Sequence, residues 1–273
     1  MTTTFDTNNP AGKYAAVNGI NLYYEVHGTG EPLIMLHGGF GTFEMCSAFS
    51  PALAQNHQVI GVDLYGHGHT ALTDRPLRLE QMADDIAGLI QHLGLEKVDL
   101  LGYSLGGTVA LGTAIRQPER VNKLVVISTP FKRAGWYPEI QAGMASIAPE
   151  NLIGTPMHDA YLRVAPKPED FARFVAAMRE GMSQDYDWTE AVSALKIPTL
   201  IIAGDSDSFP PSHAVEFFEL LGGGLRDAGW TGEHLIPSQL AILPGATHYN
   251  IFSRADQLFP VLIPFLDGKQ ARE

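Results

Sequence analysis

The chain has 273 residues, 45% of them hydrophobic, and a mean hydropathy near zero, which bounds it to one large globular α/β domain or two small ones. A formal net charge of −12 argues against nucleic acid and anionic membrane surfaces as partners. The single cysteine, Cys46, excludes an internal disulfide and a cysteine-based zinc site.

The N-terminal MTTTFDTNNPAGKY is polar, without the apolar stretch of a leader, and no apolar run is long enough to span a membrane; the expectation is a cytoplasmic protein. Strands are expected at Tyr14–Val17 and Asn21–Val26, around the turn Asn18-Gly19. Pro32–Leu36 reads as a buried strand ending in His37-Gly38-Gly39-Phe40-Gly41. A helix is expected over Phe43–Asn56, a strand over Gln58–Val62 and a glycine-rich loop over Asp63–Thr70. Leu79, Met82, Ile86, Leu89, Ile90 and Leu93 keep helical spacing, and Gly94 stops the helix. Val98–Leu101 is the next strand, followed by a helix to about Gln117 and a strand at Leu124–Ser128.

The pattern then changes. From Phe131 to Val192 the chain reads as helices without a strand. Strands resume at Pro198–Ala203 and Leu240–Leu243, with helices over Ser212–Leu221 and Arg254–Leu266. Short apolar strands alternating with helices imply an eight-stranded, mostly parallel sheet covered on both faces, its first strands antiparallel at one edge. Residues 1–130 and 193–273 form the core in this reading, and 131–192 a helical cap. Gly222–Gln239, glycine-rich and carrying Trp230, reads as a surface excursion.

Chemistry concentrates at Gly102-Tyr103-Ser104-Leu105-Gly106. A G-x-S-x-G between strand and helix is a nucleophile elbow: a sharp turn lifts the serine hydroxyl off the sheet at a helix N-terminus. A serine hydroxyl needs a base, and the base an orienting acid. Both should follow later parallel strands, whose carboxyl ends face one side. Gly204-Asp205-Ser206-Asp207 follows one such strand and Pro244-Gly245-Ala246-Thr247-His248 the other. Asp207 is assigned as acid and His248 as base. Asp205 is the rival acid, and as a turn residue it is expected to bond its own backbone. An oxyanion needs preset donors: the N–H of Leu105, directly after the nucleophile, and that of Gly39 or Phe40 in the early loop. His37 is expected to brace that loop. His67 and His69 have a spacing that could suit a metal, but nothing else in the sequence supports one. No metal or cofactor is expected.

These motifs resemble the α/β-hydrolase superfamily, in the group with a helical cap after the sixth strand. HGGFG, DLYGHGHT, GYSLGG and GDSD…ATH match along nearly the whole chain. The resemblance implies nucleophile, acid and base at Ser104, Asp207 and His248, with oxyanion donors at Leu105 and the residue or two after His37-Gly38. It excludes the aspartate-nucleophile branches. It also excludes an acid at the end of the sixth strand, which reads Ile127-Ser128-Thr129. Tyr65 stands where relatives often have arginine.

The cap is rich in aromatics and methionine, with Trp136, Tyr137 and Met144 as candidate substrate contacts. The expected function is a serine carboxylesterase acting on small-molecule esters with an apolar acyl or alcohol part. The same triad also suits carbon–carbon bond hydrolysis, enol-lactone hydrolysis or perhydrolysis. A non-catalytic binding protein on this scaffold is the reading from another class.

Overall fold

The computed structural model describes residues 12–46 and 49–268. The expectation about a leader falls on residues 1–11, outside the described residues. Eight strands form one sheet: β1 (Lys13–Val17), β2 (Ile20–His27), β3 (Glu31–Leu36), β4 (His57–Asp63), β5 (Val98–Tyr103), β6 (Val121–Ile127), β7 (Thr199–Ser206) and β8 (Gln239–Thr247). Their order is β1-β2-β4-β3-β5-β6-β7-β8. β1, β2 and β4 pair antiparallel, and every pairing from β4 through β3 to β8 is parallel. The antiparallel edge begins at Asn18-Gly19, both with positive φ (46° and 81°), the two-residue hairpin turn that an Asn-Gly pair favours.

Helices α1 (Phe43–Cys46) and α2 (Ser50–Leu53) follow β3, α3 (Leu79–His92) follows β4 and α4 (Leu105–Arg116) follows β5. Between β6 and β7 lie α5 (Pro138–Ser146), α6 (Pro149–Leu152), α7 (Pro156–Val164), α8 (Phe171–Met182) and α9 (Thr189–Ala194). Then α10 (Pro211–Leu220) joins β7 to β8, and α11 (Ala255–Leu266) comes last. Alternate residues of the central strands feed two cores. Ile34, Leu36, Leu100 and Val126 pack with α3, α4 and α10; Leu33, Met35, Leu101 and Val125 pack with α1, α2 and α11. Side chains of a strand point to opposite faces, so burial on both faces produces the continuous apolar runs seen in the sequence.

The single helix expected over Phe43–Asn56 is replaced by α1 and α2, with residues 47 and 48 outside the described residues. Pro51 is the reason. It has no N–H to continue a helix and its ring clashes with the preceding turn, whereas in the first turn of a new helix it fits. β7 and β8 both run further than expected, to a pairing of Ser206 with Thr247 past an irregularity after Gly204. Such a bulge re-aims the chain at the strand ends, where Asp207 and His248 sit.

Candidate active site

Ser104 joins β5 to α4 with φ 52° and ψ −118°, a conformation that an L-residue holds only under constraint. The constraint is packing. A Cβ on Gly102 would lie 2.2 Å from Gly106 O, and one on Gly106 2.4 Å from Leu36 O, so only glycine lets the turn close against β3. Thr129 Oγ1, at the end of β6, lies 3.1 Å from the Ser104 carbonyl and ties the elbow to the neighbouring strand.

The structure brings the three residues singled out at the strand ends into one line. Ser104 Oγ is 3.0 Å from His248 Nε2, and His248 Nδ1 is 2.9 Å from Asp207 Oδ1. The carboxylate only accepts, so Nδ1 carries the proton and Nε2 is left to accept from the serine hydroxyl. Asp207 has a completely buried side chain. Burial works to raise its carboxyl. The hydrogen bond to His248, with the donors of Ser128 and Gly204, outweighs it and holds the group below the usual carboxylate range. The Asp207 carboxylate is therefore held ionised beside the His248 imidazole.

Asp205 is not part of this line. Its carboxylate accepts from Gly245 N–H at 3.0 Å, so it ties β7 to β8 and does not bond its own backbone as expected of a turn aspartate. The β7–β8 pairing passes from Gly204 and Leu243 to Ser206 and Thr247, which leaves Asp205 and Gly245 together in the irregular stretch between them.

His37 is a brace. It is 1% exposed; its Nε2 accepts from Leu64 N–H at 3.0 Å, so its Nδ1–H donates to Gly38 O at 2.7 Å. Burial depresses its pKa, and it is neutral. Gly38 O also accepts from Gly41 N–H at 3.1 Å, closing a turn with Phe40 at φ 59°. Phe40 is held there by edge-to-face contact with Phe174 of α8, ring centroids 5.6 Å apart. Gly39, Phe40 and Leu105 all border the same cavity as Ser104. Leu105 opens α4, where backbone N–H groups have no partner within the helix.

That cavity measures about 590 Å³, within the range of small-molecule sites. Part of its wall comes from the segment between β6 and β7, including Trp136, Ile140, Met144, Met157 and Met182. Of the three candidate substrate contacts, Trp136 and Met144 border this cavity. Tyr137 is not among the lining residues; its N–H is held by Ser208 O at 3.1 Å as the chain turns into α5.

His67 and His69 serve the loop after β4. Asp63 accepts from Phe43 N–H (2.8 Å), His69 N–H (2.9 Å) and His69 Nδ1 (2.8 Å), while His67 Nδ1 bonds Tyr65 O at 2.9 Å. Among the described residues no cluster of three metal-ligating side chains occurs. Tyr65 supports the same loop. Its hydroxyl lies 2.7 Å from Arg75 O, and the Arg75 guanidinium stacks 4.2 Å above its ring.

Two site residues escaped the sequence reading. Tyr103, inside the elbow motif, donates its hydroxyl to His248 O at 2.6 Å and fixes the loop that presents the imidazole. Ser128 donates to Asp207 Oδ2 at 2.6 Å.

Residues 31–138 match the family model described as alpha/beta hydrolase fold. The chain is 30% identical to 2-hydroxymuconate semialdehyde hydrolase of Pseudomonas sp. (strain CF600) over 222 residues, 73% of this chain and 78% of that protein. It is 29% identical to the pimeloyl-[acyl-carrier protein] methyl ester esterase of Nitrosomonas europaea over 261 residues, covering 87% and 96%. Among solved structures, a thermophilic esterase from Thermogutta terrifontis aligns with TM-score 0.73 and 25% identity over 95% of this chain and 99% of that one. No helix among the described residues is long and apolar enough to cross a membrane.

Proposed function

The chain belongs to the α/β-hydrolase family, a family of hydrolases, and we propose that within it this protein is a serine esterase for uncharged carboxylic esters with an apolar acyl or alcohol part. The observation that carries the substrate class is the cavity above Ser104. Among the described residues its lining has no lysine or arginine, and its one carboxylate is Glu139. A carboxylate substrate would give up its hydration there with no cation to meet it, which is costly in an apolar site. An apolar ester loses nothing comparable.

In this reading Ser104 Oγ attacks the ester carbonyl carbon as its proton passes to His248 Nε2. The N–H of Leu105 and that of Gly39 or Phe40 receive the developing oxyanion, and Asp207 balances the imidazolium. The proton then goes to the leaving alkoxide, the alcohol departs, and water attacks the acyl-enzyme with His248 again as base. Residues 131–192 serve as a cap on the core of 1–130 and 193–273, and its α5 and α8 residues select the acyl part. No step calls for a metal or cofactor.

The likeness to 2-hydroxymuconate semialdehyde hydrolase supports a second reading, carbon–carbon bond cleavage at the same serine. A side-by-side panel separates them. Ser104→Ala should abolish hydrolysis of p-nitrophenyl butyrate, and the wild type should turn over that ester far faster than a dienoic acid or an enol-lactone. The reverse order would transfer the assignment to the second reading. A folded protein that never reacts with a fluorophosphonate would point to a binding role.

A further inference from the structure

Four non-glycine residues among those described have positive φ: Asn18, Phe40, Ser104 and Ser128. Asn18 makes the β1–β2 hairpin. The other three surround the site, and two of them already have a role: Ser104 forms the elbow and Phe40 the turn of the oxyanion loop. Strain of this kind persists where the surrounding structure over-determines it, and it gathers at functional sites. Ser128, whose hydroxyl meets the Asp207 carboxylate, is the third.

We propose that Ser128 is a positioning residue whose hydroxyl holds Asp207 in place and sets how much of the carboxylate's charge reaches His248; this rests on the esterase reading above. Ser128 follows β6, is fully buried, and has φ 54°. Its N–H continues the β6–β7 pairing by donating to Ile202 O at 2.8 Å. In that conformation its Oγ lies 2.6 Å from Asp207 Oδ2, the length of a charge-assisted O–H···O⁻ bond. Gly204 N–H is the second donor to Oδ2, at 3.0 Å. The other oxygen, Oδ1, accepts from His248 Nδ1 and from Ser208 N–H, at 2.9 and 2.8 Å. Four donors from β6, β7 and the two loops fix both rotation and charge of this carboxylate. The next residue, Thr129, reaches the Ser104 carbonyl, so one dipeptide touches both acid and nucleophile elbow.

Removing the hydroxyl has two consequences. Oδ2 keeps one donor, so the carboxylate is less firmly aligned. It also keeps more negative charge to place on the imidazolium, which favours the protonated, inactive form of the base to a higher pH. The other titratable groups against the pair are the phenols of Tyr103 and Tyr249, while Asp205 on β7 is engaged with Gly245.

The test uses Ser128→Gly, Ser128→Ala and Ser128→Asn. Glycine adopts φ 54° without strain, so it keeps the backbone and deletes only the donor. Asparagine tolerates that conformation and carries an N–H donor. The readouts are the pH profile of kcat/KM for p-nitrophenyl butyrate and the pH dependence of fluorophosphonate labelling of Ser104. Glycine and alanine should move the acid limb up by about half a pH unit and lower kcat several-fold with KM unchanged, and asparagine should return the limb toward wild type. A wild-type limb in Ser128→Gly, with Ser104 still essential, overturns this inference alone. Ester turnover that survives Ser104→Ala overturns the esterase reading instead.

Discussion

The Trp136 indole stands edge-on to the His248 imidazole, ring centroids 5.5 Å apart and planes at 75°. Trp136 lies in the segment between β6 and β7, so that segment touches the candidate base directly. The ring is 6% exposed and also packs edge-on to Phe209. Trp136→Ala frees the imidazole on one side and widens the cavity. Small misplacement of a reacting group costs about a hundredfold, so kcat for p-nitrophenyl butyrate should fall by about 10- to 100-fold. Trp136→Phe keeps an aromatic edge there and should stay within a few-fold of wild type. Steady-state kinetics on both variants decide; an unchanged kcat in the alanine variant would show that the base is held without this ring.

Asp207 and Asp205 stand two residues apart on opposite duties, and paired isosteric substitutions separate them. Asp207→Asn preserves shape but can present an amide donor to His248 Nδ1, which favours the wrong tautomer. Such a change costs about 10⁴ in kcat in serine hydrolases of known mechanism, and a loss of that order is expected. Asp205→Asn keeps a carbonyl oxygen for Gly245 N–H, and kcat/KM should remain within about twofold of wild type. Equal losses in the two variants would contradict the assignment of the acid.

Gly106→Ala tests the elbow itself. The added methyl would lie 2.4 Å from Leu36 O and 2.5 Å from His37 O, both backbone atoms that no rotamer can move aside. Overpacking of this kind costs about 1–3 kcal/mol and sometimes more, so the variant should melt several degrees lower and label poorly with a fluorophosphonate. Gly143→Ala is the control for melting alone: a methyl there meets nothing within 4 Å, but the residue borders the cavity.

The meeting of Ser104, His248 and Asp207 was legible because each sits in a short motif tied to a strand end, and parallel strands present those ends on one side. The two faces of the core were legible from unbroken apolar runs such as Leu33–Leu36. Ser128 was not, because nothing in Ile127-Ser128-Thr129 marks a positive φ or a hydroxyl aimed at a residue 79 positions away. Tyr103 was hidden for the same reason: its partner, the His248 carbonyl, is a backbone atom 145 positions on. Pro51 was visible in the sequence and decisive, since it divides the helix expected over Phe43–Asn56. The Asp205 bond to Gly245 depends on β7 and β8 running on past their apolar stretches. That extension rests on backbone pairing, which leaves no hydrophobic pattern.

The loop after β4 should make the protein sensitive to acid through His67. The side chain is 1% exposed; Nδ1–H donates to Tyr65 O, and Nε2 has no partner among the described residues. Burial, helped by the nearby His37, pushes its pKa down to about 3 from an ordinary value of 6.5. Between those values the unfolded chain binds a proton at this position and the native protein does not. Stability therefore rises with pH across the window and is lost as pH falls from about 6.5 toward 3, at a slope of up to about 1.4 kcal/mol per pH unit for one site. His37, depressed by burial in the same way, adds to the slope. His67→Leu removes one proton from the balance. It also gives up the bond to Tyr65 O, a loss that shifts stability equally at every pH. Urea unfolding at several pH values between 4 and 8 should show a flatter line for the leucine variant, whatever its offset. Parallel lines would mean that the native imidazole already binds a proton in this range, which its burial against Phe174 and His37 argues against.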